Sequence, residues 1–211
     1  MSSIFDPAHQ HQDVDSKIAA ALERMAQAFR VLLWEQNKLH HLSPIQIQFL
    51  VHLLYHAADR CTISDLANGF SLTPATVSDA ITTLEKKGMV SREWWETDRR
   101  VVSVALTTEG KKTARKLSSW ANVIQESVAA FDPQDKVVVM KFLMHLIESL
   151  QQAGVITIAR MCITCKFFQP NAHANAKAPH HCRLLDKPLA DVELRIDCAE
   201  HQPFEEETAS S

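Results

Sequence analysis

The sequence predicts a mainly α-helical protein with one small β-hairpin and a small, irregular C-terminal module. Three observations carry this. Apolar residues recur at three- and four-residue steps through most of the chain, and only 4 glycines interrupt it. The period changes once, where β-branched and aromatic residues fill 90–95 and 101–106. Of 5 cysteines, four crowd into the last quarter as Cys162-x2-Cys165-x16-Cys182-x15-Cys198.

The 211 residues are 46% hydrophobic and 22% charged, which is enough apolar material for a core. The formal net charge of -3 gives no overall pull toward nucleic acid, so charge has to be read locally. No apolar run approaches the roughly 20 residues of a membrane span, and the N-terminus is no secretory signal. Residues 1–15 read as a disordered lead-in and 205–211 as a disordered tail. A cytoplasmic location follows, where clustered cysteines read as metal ligands more readily than as disulfides.

Within 16–153 each element has its own signal. Ile18, Leu22, Met25, Phe29, Leu32 and Leu33 predict a helix from Ser16 to Asn37. Ser43-Pro44 caps a helix to about Ala57. Thr62 opens a short helix that Gly69 stops, and Thr73-Pro74 opens another that ends at Gly88. The hairpin follows, with Glu96-Thr97-Asp98-Arg99 at its tip. Thr107/Thr108 then predicts one long helix to about Phe131, and Asp132-Pro133 a last helix to about Gln152.

A short helix, a turn, a second helix and a hairpin make a winged helix-turn-helix, whose second helix enters the major groove of DNA. Val77, Ala80, Ile81 and Leu84 form its inner stripe. Ala75, Thr76, Ser78, Asp79, Thr82 and Lys86 face outward, small or hydroxyl-bearing where bases and phosphates come close. Asp79 is either a specificity element or a non-contact. From Arg60 to Lys116, ten basic residues stand against seven acidic ones. Arg99 and Arg100 suit the minor groove. Phosphate contacts by Lys86, Lys87, Arg99 and Arg100 predict steeply salt-dependent affinity.

Thr62-Ile63-Ser64-Asp65-Leu66-Ala67, Ala75-Thr76-Val77-Ser78, Leu84-Glu85-Lys86-Lys87-Gly88-Met89-Val90, Asp98-Arg99-Arg100 and Leu106-Thr107-Thr108-Glu109-Gly110 together resemble the MarR family of bacterial transcription regulators. The resemblance covers roughly 17–152. It implies an obligate homodimer joined by the first and last two helices. It also implies binding to a pseudo-palindromic operator, usually as a repressor, with Asp98 orienting Arg100. A small-molecule effector is compatible with it, and no enzyme is expected: no nucleophile–base pair, phosphate loop or paired acids appear.

Residues 154–204 hold Cys162, Cys165, Cys182 and Cys198, and the polar, alanine-rich stretch 166–181 buries too little apolar surface to order itself without a metal. Four thiolates suit an iron–sulfur cluster or zinc. Zinc ribbons commonly use two Cys-x2-Cys knuckles, and only one exists here. For zinc, His180, His181 or His201 could replace a cysteine. The run Cys162-x2-Cys165-Lys166-Phe167-Phe168-Gln169, then Cys182-Arg183-Leu184, then Cys198, resembles the cluster-binding stretch of high-potential iron–sulfur proteins, which implies a [4Fe–4S]-type cluster. Three readings follow: a regulator with a redox- or metal-responsive cluster, a regulator with a structural zinc, or an electron carrier whose winged helix binds protein. Cys61 reads as inert packing, with a redox-sensing thiol as the alternative. His52 and His56 read as core or dimer contacts, and Trp94 and Trp95 as packing.

Overall fold

The computed structural model describes residues 3, 5–7, 13–56, 61–94 and 102–204. The elements run α1 (Val14–His40), α2 (Pro44–Tyr55), α3 (Ile63–Gly69), α4 (Pro74–Lys86), β1 (Val90–Trp94), β2 (Val102–Leu106), α5 (Thr108–Leu117), α6 (Asn122–Ala129) and α7 (Pro133–Gln152). A 3₁₀ turn at Cys162–Thr164, strands β3 (Phe168–Gln169), β4 (His180–Cys182) and β5 (Lys187–Leu189), and a 3₁₀ turn at Asp191–Glu193 follow. None of the described helices is long and apolar enough to cross a membrane.

The chain forms two compact units: Met1–Ile63 with Ser78–Glu126, and Ser64–Val77 with Ser127–Ser211. In the first, α2 packs against α1 and α5, burying Ile47, Phe49, Leu50, Leu84, Val104 and Leu117. Ser43 and Gln46 close a reciprocal capping box at the start of α2, with Pro44 in its first turn. Strands β1 and β2 pair antiparallel from Val90↔Leu106 to Trp94↔Val102. Thr62 adds a bridge to Ser103, and the Val104 N–H donates to the Cys61 carbonyl at 2.8 Å. The loop into the wing is tight. Gly88 sits at φ +70°, its N–H bonded to Glu85 O and that of Met89 to Leu84 O, so the end of α4 is closed by a left-handed cap. A Cβ on Gly110 would lie 1.8 Å from the Met89 carbonyl oxygen, so only glycine lets α5 start there.

In the second unit, α7 is capped by Asp132, whose carboxylate accepts from the Gln134 N–H at 2.7 Å. Met144 of this helix forms a core with Ala159, Met161 and Leu194, and Met140, Ile147, Cys162, Ile163 and Phe168 pack around it. Strands β3, β4 and β5 form an antiparallel sheet in that order, with Phe168 opposite Cys182 and Cys182 opposite Lys187.

Three expectations need correction. The long helix from Thr108 to Phe131 is two, α5 and α6. At the break, the Ser118 and Ser119 hydroxyls donate to the carbonyls of Arg115 and Lys116, and the Trp120 and Asn122 N–H groups reach back only three residues. Serine hydroxyls compete for helix carbonyls in this way, and the ladder tightens and turns. The first helix begins earlier than expected, because the Asp13 carboxylate accepts from the N–H groups of Asp15 and Ser16. The C-terminal module is less irregular than expected, since it carries a three-stranded sheet. Residues 1, 2, 4 and 8–12 of the expected lead-in, and the tail 205–211, lie outside the described residues.

Candidate nucleic-acid interface and four-cysteine centre

The start of α4 is built by Thr73. Its hydroxyl accepts from the Thr76 N–H at 3.2 Å and its carbonyl from the Val77 N–H at 3.2 Å. With Val77, Ile81 and Leu84 fully buried, Ala75, Thr76, Asp79 and Lys86 are left exposed, while Ser78, Ala80 and Thr82 are half-buried. Two expected phosphate or base contacts are already engaged within the chain. The Thr82 hydroxyl accepts from the Arg92 guanidinium at 3.0 Å. The Lys87 ammonium donates to the carbonyl of His41. Asp98, Arg99 and Arg100 lie outside the described residues, as does Trp95. Trp94, expected to pack, is 64% exposed.

Arg92 on β1 also reaches the Glu85 carboxylate at 2.6 Å, so one guanidinium clamps the wing to α4. Sequence reasoning missed this residue. Its partners are seven and ten positions away on another element, a distance no local pattern reports.

Further down the chain, the 3₁₀ turn brings Cys162 and Cys165 together, with the Cys165 N–H on the Cys162 carbonyl at 3.0 Å. Strand β4 supplies Cys182. Cys198 is pinned by its N–H to the Arg160 carbonyl at 2.9 Å. All four cysteines line one cavity of about 260 Å³, walled by Phe167, Phe168, Leu184, Leu185 and Leu189. None of them is in a disulfide. The Arg195 N–H donates to Cys162 Sγ at 3.2 Å, and its guanidinium lies 3.7 Å from Cys198 Sγ. Burial raises the Cys162 thiol above its ordinary value; the Arg195 N–H opposes this, and the other three thiols add to it.

Among the described residues, no three His, Cys, Asp or Glu side chains converge closely enough to hold a single metal ion. The candidate histidines do not line this cavity. His180, 6% exposed, bonds Asp191 at 3.0 Å, and Lys141 of α7 bonds the same carboxylate oxygen at 3.0 Å. His181 contacts His173 and Asp186. His201 contacts Thr164. Elsewhere, Cys61 is buried, and the rings of His52 and His56 stack with centroids 3.7 Å apart.

Comparison with known proteins agrees with the element order. The MarR family model matches residues 42–102. The HTH-type transcriptional repressor YetL of Bacillus subtilis (strain 168) is 31% identical over 103 residues, 48% of this chain and 62% of YetL. The chain therefore spans less than two thirds of that relative's length. The uncharacterized HTH-type transcriptional regulator YfiV of the same organism is 30% identical over 107 residues, 50% of this chain and 67% of YfiV. The S. aureus MepR–DNA complex superimposes with a TM-score of 0.57 at 22% identity, over 63% of this chain and 97% of MepR, a likeness of fold. With the family pattern matched over residues 42–102, which hold the helix-turn-helix, and with a relative at this identity matched over two thirds of its length, the chain belongs to the MarR family.

Proposed function

We propose that this chain is a cytoplasmic, homodimeric, sequence-specific DNA-binding transcription regulator, acting as a repressor and not as an enzyme. The observation that carries the reading is the start of α4. A capped helix N-terminus presents Ala75 and Thr76 to solvent, side chains small enough for a phosphate or base edge to come close. YetL is a repressor by name and MepR is seen on DNA, which supports carrying the activity to this chain. Apolar side chains left exposed on α1 (Val31, Trp34, Leu39) and, separately, on α7 (Val138, Val139, Phe142) supply material for a dimer. Retention of specific genomic fragments in a gel-shift assay, with a pseudo-palindromic footprint, tests this. Only salt-sensitive, sequence-indifferent binding would refute it.

The finer reading is that the C-terminal module holds an iron–sulfur cluster and makes the regulator redox- or metal-responsive. Four thiols line one cavity, and among the described residues no three donor side chains converge on a single ion, which supports a cluster over zinc. The chemistry of the donor set, four thiols on one cavity, supports such a group. Cys162, Cys165, Cys182 and Cys198 would hold it, the Arg195 N–H would bond a coordinating sulfur, and the phenylalanine and leucine walls would exclude water. When bound, the group supplies one-electron chemistry and a lability that a thiol-only module lacks.

A further inference from the structure

We infer that the four-cysteine module controls DNA binding through a latch on the turn that precedes the recognition helix. The inference rests on the cluster-responsive reading above and names its route. The module and the segment Ser64–Val77 belong to one compact unit. Within it, the Thr157 N–H donates to Ser71 Oγ at 3.1 Å, and the Thr157 hydroxyl lies 3.3 Å from the same oxygen. Ser71 sits in the turn between α3 and α4 with φ at +52°, two residues before Thr73, the cap of α4. A contact 86 positions apart thus joins the lead-in of the module to the start of the DNA-reading helix.

Thr157 lies between α7 and the first cavity cysteine, in a stretch without helix or strand. Such a stretch is held only by its contacts. Ala159 and Met161 anchor it in the core with Met144 and Leu194. That core and the thiol cavity share two residues, Cys162 and Phe168. The Arg195 backbone, next to Leu194, holds Cys162 twice: its carbonyl accepts from the Cys162 N–H and its N–H donates to the side-chain sulfur. Asp191 ties Lys141 of α7 to His180, two residues before Cys182. Filling the cavity orders all three cysteine-bearing segments at once. The lead-in is then seated and Thr157 is held against Ser71. An empty cavity loosens the seat and frees the turn. The coupling is reciprocal, so operator DNA stabilises the loaded module.

The test uses the full chain, reconstituted anaerobically with ferrous iron and sulfide or stripped with a chelator, in three forms: wild type, Ser71→Gly and Ser71→Asn. Glycine suits a positive φ but removes the acceptor, while asparagine suits it and keeps one. Loaded wild type binds operator at least about 5-fold more tightly than stripped protein, the lower end of ordinary couplings. Ser71→Gly brings that ratio close to one at unchanged iron content, and Ser71→Asn keeps it. In wild type, amide exchange across residues 71–77 slows on loading. A ratio that survives Ser71→Gly, or exchange there indifferent to loading while affinity changes, overturns the latch alone. A wild-type ratio of one, or failure to take up iron and sulfide, overturns the responsive reading and the latch with it.

Discussion

The winged-helix region and the cysteine module hold their shapes in different ways. The first is built on apolar volume. Phe49, Leu50, Ile47 and Leu84 are fully buried, and its elements start and stop at caps that backbone chemistry dictates. The module packs Ala159, Met161 and Leu194 against Met144 of α7, and has two short 3₁₀ turns and strands of two or three residues. Apolar burial at ~25 cal/mol per Å² therefore contributes less to the module than to the winged-helix core. The difference is one of scale: one chain combines a large, well-capped apolar core with a small module built around four thiols.

The largest effect separates the two regions directly. Cys162→Ser is expected to abolish iron and sulfide uptake and to leave the module's amides in fast exchange, while the winged helix keeps its helical circular dichroism. Disappearance of the helical signal in step with the module would erase the distinction. Next come substitutions that damage one region each. Phe49→Ala is expected to cost about 3–5 kcal/mol of stability and Met144→Ala about 2–5 kcal/mol, read by denaturant unfolding with exchange assigning each effect to its own unit. Gly110→Ala belongs in this group, because its Cβ meets backbone rather than a movable side chain.

Smaller effects sharpen the picture. Lys86→Ala should flatten the slope of log affinity against log salt by about 0.9 for each phosphate it ceases to neutralise, weakening all DNA sequences alike. An unchanged slope would remove Lys86 from the interface. The smallest is a pH effect in the module. The His180 hydrogen bond and then the Lys141 ammonium hold the Asp191 carboxyl below the usual carboxylate range. A depressed folded value means that its stabilisation is present above the unfolded value, about 3.9, and is lost as pH falls through the folded one. Wild type should therefore exceed Asp191→Asn in stability at neutral pH by a margin that shrinks in acid. A margin constant with pH would contradict the ion pair.

What was legible in the sequence follows the same divide. Ser43-Pro44, Thr73-Pro74, Gly88 and Asp132-Pro133 act locally, so caps and stops are readable in the letters. Ser118 and Ser119 were not, because serine tolerates a helix and breaks it only when its hydroxyl takes a carbonyl. The Arg92 clamp and the Ser71–Thr157 contact were invisible for another reason: both join residues that only tertiary structure brings together. In the module, the cysteine spacing suggests a shared centre; the four cysteines line one cavity, while among the described residues no three donor side chains converge on a single ion. The sheet between them left no mark, since strands of two or three residues carry no readable alternation.

The most direct measurement is metal and sulfide analysis with an absorption spectrum on the full chain purified without oxygen. The account predicts a brown protein with about four iron and four sulfide per chain, both absent from Cys162→Ser. A colourless protein holding one zinc per chain, or one with no metal after reconstitution, would contradict it.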